Sequence, residues 1–376
     1  MKKYGHIILM AMAVLMSTAS CSSSDDSEQG GDMPETGTPI AFSAQQGDET
    51  AVNNGAQSRT MTRATSLHEA EVVTFKVWGY KNNGTAAEPF SSYQTVFPRY
   101  TVNWIDGSAA TTTSNSSGWE YVAQEEDGDD EQTIKYWDWS AKAYRFFAVT
   151  AGAGNPTSSD GVAGHKESFT MTADASDETA IKNTPYFSKL WFSTGSEALY
   201  PTRLFGKPVQ LEFMKPFARV RFMFTYSYEP EGNKIKTKSF KPTDGSEIAL
   251  KGSFTVSYPL TGNEREESYS VMPKANPAAG ETLDAFTEEY IVDGTEKWYT
   301  VLPNNTQDSY TMTIRMTNDS QDKTAVVPAE YMQWLPGYSY TYIFKITELG
   351  GVEIELVQSA YTGWTENEMD RSVYNW

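Results

Sequence analysis

The sequence is nearly devoid of cysteine. Cys21 is the single thiol among 376 residues, so the chain cannot form an internal disulfide, and side-chain packing has to hold its fold together. One thiol also cannot build a metal site of several cysteines. The place of this cysteine, in "STASCSSSDD" between an apolar and an acidic segment, therefore needs another explanation.

Histidine is almost as scarce. Only His6, His68 and His165 occur, and none stands in an H-x-x-x-H or H-E-x-x-H spacing that would indicate zinc. The glycine-containing residues 150–156 lack the Lys-Ser/Thr pair of a phosphate-binding loop. A Ser-His-Asp triad or the carboxylate pair of a glycoside hydrolase leaves no local signature, so both stay open. We expect no enzymatic activity, no cofactor and no metal.

Positively charged residues are fewer than negatively charged ones. Long apolar runs are also missing from most of the chain. Thirty Lys and Arg stand against 49 Asp and Glu, for a net charge of −19. This balance disfavours nucleic acid and anionic bilayer surfaces as partners, because both need a cationic footprint. No stretch after residue 16 approaches the length of a membrane-spanning helix. The composition favours a self-repelling surface protein.

The first twenty residues have the layout of a secretory signal. Lys2 and Lys3 precede ten apolar residues, 7–16, and small residues then lead to Cys21. This arrangement resembles the bacterial lipobox, in which the cysteine is acylated and becomes the mature N-terminus, although Thr18 stands where a leucine is usual. The alternative is an ordinary cleaved signal with an unrelated cysteine. We predict a signal peptide at 1–20 and lipidation of Cys21.

Residues 21–38 are small, polar and acidic. Such a segment cannot bury enough apolar surface to offset its ordering entropy, so we expect a flexible tether. The acidic run near the cysteine also resembles the signal that sends Bacteroidetes lipoproteins to the outer face of the outer membrane. A plain solvated linker is the alternative, and the two interpretations are compatible.

The remainder reads as an all-β protein. Apolar and polar residues alternate in the runs 72–80, 144–150, 209–213, 218–226, 310–317, 338–346 and 352–356. In 218–226 the apolar positions share one face, opposite Arg219 and Arg221. Alternation of this kind is typical of antiparallel strands with one face in the core and one in water. Sustained helical periodicity is absent, so helices should be short.

The ordered length exceeds one ordinary β-sandwich. We therefore predict two β-sandwich domains in tandem with Greek-key connections, at 39–200 and 201–376. The boundary lies in the turn-rich residues 193–208.

Two further features have competing interpretations. The acidic run at 125–131 offers oxygen ligands that calcium could use, but like-charge runs are more often hydrated loops. Trp137 and Trp139 could stack on sugar rings, although alternating tryptophans on a strand are more often half in the core and half packed at an edge, and we favour a core role.

Several segments together resemble the fimbrillin family of Bacteroidetes, which comprises type V pilus subunits and Mfa-like surface lipoproteins. The segments are the lipobox, "PIAFSA" (39–44), "SRTMTRAT" (58–65), "YWDWSAKAYRFFAVT" (136–150), "VQLEFMKPFARVRFMF" (209–224) and "WLPGYSYTYIFKI" (334–346). The resemblance implies two transthyretin-like β-sandwich domains and a structural role as a fimbrial subunit or adhesin.

The resemblance also implies an assembly route. An arginine-specific protease cuts in the N-terminal arm and removes a strand, and a strand from a neighbouring subunit fills the groove by β-strand addition. Here Arg59 and Arg63 are the candidate cleavage sites, and Ile40, Ala41, Phe42 and Ser43 form the candidate displaced strand. Both arginines could equally be solvated loop residues.

The C-terminal residues Val373, Tyr374 and Trp376 form a candidate donor tail, which could instead fold back on its own domain. The partners implied are other pilus subunits, the outer membrane through a lipid anchor, and a host protein or glycan. The alternative function is a surface glycan-binding lipoprotein of a polysaccharide-uptake system. That function predicts a platform of two or three exposed aromatic side chains.

Overall fold

The computed structural model describes the following residues of the chain: 37–46, 66–84, 93–105, 118–124, 132–151, 155–158, 167–194, 205–226, 234–258, 269–271, 289–291, 297–304, 308–316, 319–347 and 352–360. Strands dominate these ranges, which confirms the all-β prediction. Helical structure within them comprises α1, Glu178–Asn183, and the 3₁₀ turns Leu67–Ala70 and Ala329–Tyr331.

The strands in chain order are β1 Phe42–Gln46, β2 Thr74–Asn82, β3 Tyr93–Trp104, β4 Trp119–Glu120, β5 Ala143–Thr150, β6 Thr157–Ser158, β7 Glu167–Asp174, β8 Phe187–Ser188, β9 Trp191–Thr194, β10 Val209–Met214, β11 Ala218–Tyr226, β12 Lys234–Pro242, β13 Lys251–Tyr258, β14 Tyr269–Val271, β15 Glu289–Ile291, β16 Tyr299–Val301, β17 Tyr310–Met316, β18 Asp322–Val327, β19 Tyr338–Ile346 and β20 Val352–Ala360.

The largest sheet has eight strands in the order β1-β10-β8-β5-β2-β3-β4, with β9 also paired to β5. The β1–β10 pair is parallel, and the other pairs of this sheet are antiparallel. Phe42 of β1 and Trp119 of β4 belong to one buried cluster, although their strands stand at opposite ends of the order. The sheet therefore curls around this cluster, which we call the inner core.

The convex face of the same sheet is covered as well. A four-stranded sheet, β14-β13-β7-β6, packs on it, and the contact buries Trp78 and Phe147 against Phe169 and Phe254. Strand β5 lies between the two cores, and all eight of its residues are buried. A strand covered on both faces reads as a nearly continuous apolar run, as "AYRFFAVT" does.

Two strands beyond residue 200 pair with strands before it. Strand β10 lies in the eight-stranded sheet between β1 and β8, and β13 pairs with β7 along its whole length. A boundary near residue 200 therefore does not separate the sheets. The two domains at 39–200 and 201–376 stay a prediction.

The C-terminal part contains two sheets packed face to face. Their orders are β16-β11-β19-β20 and β15-β12-β17-β18, and both contribute to one buried cluster. The rings of Phe222 and Phe240 meet across it with centroids 4.8 Å apart. This arrangement is a β-sandwich, and the inward alternation predicted for 218–226 and 310–317 fills its interior.

Two expectations for this sandwich were wrong. Strands β11 and β19 pair in parallel, because alternation specifies which face is buried but not the direction of the neighbouring strand. Arg221 was expected to face water, yet it is buried. Its Nε donates to Thr341 Oγ1 at 2.9 Å and its guanidinium lies 4.4 Å from the ring centroid of Trp298, so a hydrogen bond and a ring take the place of solvent.

Candidate functional site

The candidate displaced strand is an integral part of the inner core. Ile40, Phe42, Ala44 and Gln46 are buried, whereas the residues between them are half-buried. This alternation is what "IAFSAQQ" dictates in an extended chain, because successive side chains point to opposite faces. The strand continues three residues beyond the predicted Ser43 and ends on the buried Gln46.

Backbone hydrogen bonds hold this segment on two sides, along β1 itself and at the residues just before it. On one side β1 runs parallel to β10, with Phe42 opposite Val209 and Gln46 opposite Phe213. On the other side Ile40 N donates to Lys135 O at 2.8 Å and Trp137 N donates to the carbonyl of residue 38 at 3.0 Å. We call the space that the segment occupies the β1 slot.

Phe42 occupies the centre of the slot. Its ring is fully buried and makes edge-on contacts with four other rings. The centroid distances are 5.1 Å to Phe97, 5.7 Å to Tyr121, 5.8 Å to Phe146 and 6.5 Å to Phe75. Edge-to-face geometry at these distances is favourable beyond the burial of area alone. The pocket is therefore shaped for an aromatic ring.

Tyr121 fixes the backbone at the start of the segment. Its hydroxyl donates to Ile40 O at 2.9 Å and accepts from Lys135 N at 3.0 Å. Burial raises the pKa of Tyr121 well above its ordinary value, so the phenol keeps the proton that it donates. The slot thus holds the backbone of residue 40 irrespective of its side chain.

The far end of the slot is polar. Gln46 is 2% exposed, and its Nε2 donates to the Tyr186 hydroxyl at 3.5 Å. Beside the Tyr186 ring lies Lys215, whose Nζ is 4.7 Å from the ring centroid. Sequence patterns did not predict these residues, although the alternation from Ile40 to Ala44 continues inward to Gln46.

Lys215 caps a helix from inside the protein. Its Nζ donates to Ile181 O and, at 2.8 Å, to Lys182 O, both in the last turn of α1. A cation suits the carbonyl end of a helix. Burial nevertheless lowers the pKa of Lys215 to about 8, because removing an ammonium group from water disfavours its charged form.

The chain between Gln46 and Ser66 carries both candidate cleavage sites. Gln45 forms an antiparallel bridge with Ser66, so this stretch departs and returns at neighbouring points of the fold. The residues Arg59 and Arg63, the lipidation site Cys21, the tail residues Val373, Tyr374 and Trp376, the acidic run 125–131 and His165 lie outside the described residues.

The two neighbouring tryptophans differ in environment. Trp137 is 3% exposed and stacks on Phe205 with centroids 5.3 Å apart, which confirms a core role for it. Trp139 is 52% exposed, so it does not share the core role of Trp137. Among the exposed large hydrophobic side chains that the structure describes, Trp139 is the only aromatic one. A platform of several rings is therefore not found in the described ranges.

Metal-binding groups are not evident in the described part of the chain. It holds no group of three or more His, Cys, Asp or Glu side chains arranged to bind a metal ion. His68 stacks on Trp104, with centroids 4.2 Å apart. The helices described here include none of the length and apolarity needed to cross a bilayer.

Comparison with known proteins gives structural similarities only. No family model and no curated protein matches the chain. A solved candidate cell adhesion protein from Bacteroides ovatus is 15% identical, with 88% of this chain and 100% of that chain covered and a TM-score of 0.41. A fimbrial assembly protein from Parabacteroides distasonis is 11% identical, with 85% and 95% covered and a TM-score of 0.34. At such TM-scores neither similarity establishes the fold or the function of this chain.

Replacing Phe42 by alanine should destabilise the protein by about 3–5 kcal/mol, because it empties a pocket bounded by four rings. Urea unfolding followed by tryptophan fluorescence measures this loss. The half-buried neighbour provides the control, since Ser43→Ala should change the unfolding free energy by less than about 0.5 kcal/mol. A loss below about 1 kcal/mol for Phe42→Ala would contradict the packing role of the ring.

Stability should depend on pH through Lys215. The folded lysine loses its proton near pH 8 and the unfolded one near 10.5, so the unfolded state binds more protons between these values. The unfolding free energy therefore rises with pH across this window, by about 2 kcal/mol from pH 7 to 9.5. Lys215→Met should lack this rise. The exposed Lys207→Met should follow the wild type, and equal pH profiles for all three proteins would refute the assignment.

Proposed function

We propose that the chain is a non-enzymatic cell-surface fimbrial subunit or fimbrillin-like adhesin, exported as a lipoprotein and assembled by strand removal and donor-strand exchange. One observation carries the proposal. Strand β1 completes the inner core, yet it joins the rest of the fold through the stretch that contains Arg59 and Arg63. A cut after either arginine separates β1 covalently from everything that follows.

Loss of β1 would leave two kinds of unsatisfied surface. Strand β10 would lose the backbone partner that it has along Val209–Phe213, and the rings around Phe42 would face water. An unpaired strand edge beside an apolar groove is the surface that β-strand addition uses, with backbone hydrogen bonds for affinity and side-chain pockets for selectivity. Other pilus subunits are the partners proposed for this surface.

The lipid anchor and the domain organisation belong to the same proposal. Cys21 and the acidic tether at 21–38 support attachment to the outer membrane, with the mature protein displayed at the cell surface. The face-to-face sheets around Phe222 and Phe240 support the sandwich component of two tandem transthyretin-like domains. A host protein or glycan is the ligand proposed for adhesion.

The rival glycan-binding function has less support. It needs a planar platform of two or three exposed aromatic side chains, and the described residues supply Trp139 alone among large exposed aromatics. It also gives no role to a removable strand in the core. The experiment below separates the two functions because only assembly requires proteolytic maturation.

Treatment of the full chain with an arginine-specific protease should trim it to a discrete product that begins at Thr60 or Ala64. The trimmed protein should then form ladders of multimers on unheated denaturing gels, because each groove accepts a strand from a neighbour. N-terminal sequencing identifies the product. The variant R59K/R63K keeps both positive charges and should stay uncut in this segment. A trimmed protein that remains monomeric would contradict assembly.

Membrane attachment should depend on Cys21. The variant Cys21→Ala should move the protein from the membrane fraction to the soluble fraction, because it removes the thiol to which lipid is attached. Cys21→Ser is the closer isostere and should behave in the same way. Unchanged fractionation of both variants would exclude the lipidation proposal while leaving the strand-exchange proposal intact.

A further inference from the structure

The resident strand shows which side chains the β1 slot accepts. Every second side chain of this segment is buried. In order, these are a branched aliphatic chain, an aromatic ring, a methyl group and an amide, at Ile40, Phe42, Ala44 and Gln46. The residues between these positions are half-buried and do not enter the inner core. The pockets thus form an ordered series of four.

The central pocket is the most selective of the four by size and shape. Edge-on contacts surround the Phe42 ring on several sides, and the next inward position holds only the buried methyl group of Ala44. Cores as dense as protein interiors tolerate neither a missing ring nor an oversized one. A strand shifted by two residues would bring a large side chain into the place of Ala44.

The final pocket discriminates by hydrogen bonding. Gln46 Nε2 reaches the Tyr186 hydroxyl, and the Tyr186 backbone is held in turn by Thr150, whose Oγ1 accepts from Tyr186 N at 2.8 Å. An apolar side chain at this position would lose this buried hydrogen bond, which is unfavourable. A single polar position in an otherwise apolar series can therefore define the register of the strand.

The resident strand is also an imperfect occupant. Gln46 Oε1 is buried and has no hydrogen-bond partner among the described residues. An unpaired buried acceptor is unfavourable, so a strand that satisfies this pocket fully gains stability relative to β1. That difference favours replacement of the resident strand once it is no longer joined to the fold.

The tail of this chain does not fit the series. With Tyr374 in the aromatic pocket, Trp376 falls in the place of Ala44. With Trp376 in the aromatic pocket, Tyr374 falls in the place of Ile40. Each register puts a ring where the slot holds a smaller side chain, and overpacking of this kind is destabilising.

We propose that the β1 slot selects an incoming strand of another pilus subunit with the order aliphatic, aromatic, small and hydrogen-bonding at alternate positions, parallel to β10. The inference rests on the strand exchange proposed above and adds the chemistry of the partner. A matching partner is a strand in which an aliphatic residue is followed, at successive alternate positions, by Phe or Tyr, by Ala, Gly or Ser, and by a polar residue.

A competition experiment tests this selectivity. A full-length variant carries a sequence-specific protease site within residues 47–58, so that nicking does not depend on Arg59 or Arg63. After nicking, a labelled peptide of residues 37–49 is exchanged into the slot, and fluorescence anisotropy follows its displacement by unlabelled peptides. Native mass spectrometry confirms a one-to-one complex.

The unlabelled peptides should differ in their affinity for the β1 slot in a defined order. In the peptide, Phe42→Ala should weaken binding by about 100-fold or more, whereas Ser43→Ala should change it by less than about threefold. Gln46→Leu should weaken binding by about tenfold. The tail peptide 364–376 should not compete.

Three results would overturn the inference: no exchange of any peptide, equal binding of the Phe42→Ala and Ser43→Ala peptides, or displacement by the tail peptide as effective as by residues 37–49. Failure of the proposed function has a different signature. The wild-type arm would then resist the arginine-specific protease or yield monomers only, while the nicked variant would still show the ordered selectivity.

Discussion

The N-terminal half of the fold depends on the burial of Phe42, a ring that enters the inner core from a segment preceding all other strands. Four further rings from β2, β3, β5 and the loop after β4 lie against it. Since the eight-stranded sheet curls around this cluster, β1 acts on strands at both ends of the sheet order. A five-residue strand thus influences the packing of elements far from it in sequence.

Strand β5 explains how a fold could survive without β1. Its residues contact the inner core on one face and the sheet containing β7 and β13 on the other. Departure of β1 would expose only the inner face, whereas Phe147 would keep its stacking on Tyr258, with centroids 4.3 Å apart. The walls of the slot are therefore backed by a second core that does not involve the strand. Such backing is what a preformed binding groove requires.

The sequence predicted which face of a strand is buried better than it predicted which strands pair with one another. Strands β11 and β19 have the predicted bounds 218–226 and 338–346, because strict alternation identifies the buried side of a strand. The family resemblance alone suggested a strand at 40–43, and it did not predict that Ile40 and Phe42 face the core. Alternation carries no information on pairing direction or partner, so the parallel β1–β10 and β11–β19 pairs were not predictable. Arg221 and Lys215 were missed for a related reason, since the rings and carbonyls that accept them lie far away in the chain.

The bridge between Gln45 and Ser66 affects how occupancy of the β1 slot depends on protein concentration. While the chain is continuous, β1 is an intramolecular ligand, and the covalent connection between Gln46 and Ser66 supplies it at a high effective concentration. Cleavage of a single peptide bond between these residues changes the molecularity of the contact without altering any atom within it. Retention of the strand then becomes sensitive to dilution, and crowding many copies on one surface favours exchange over simple release.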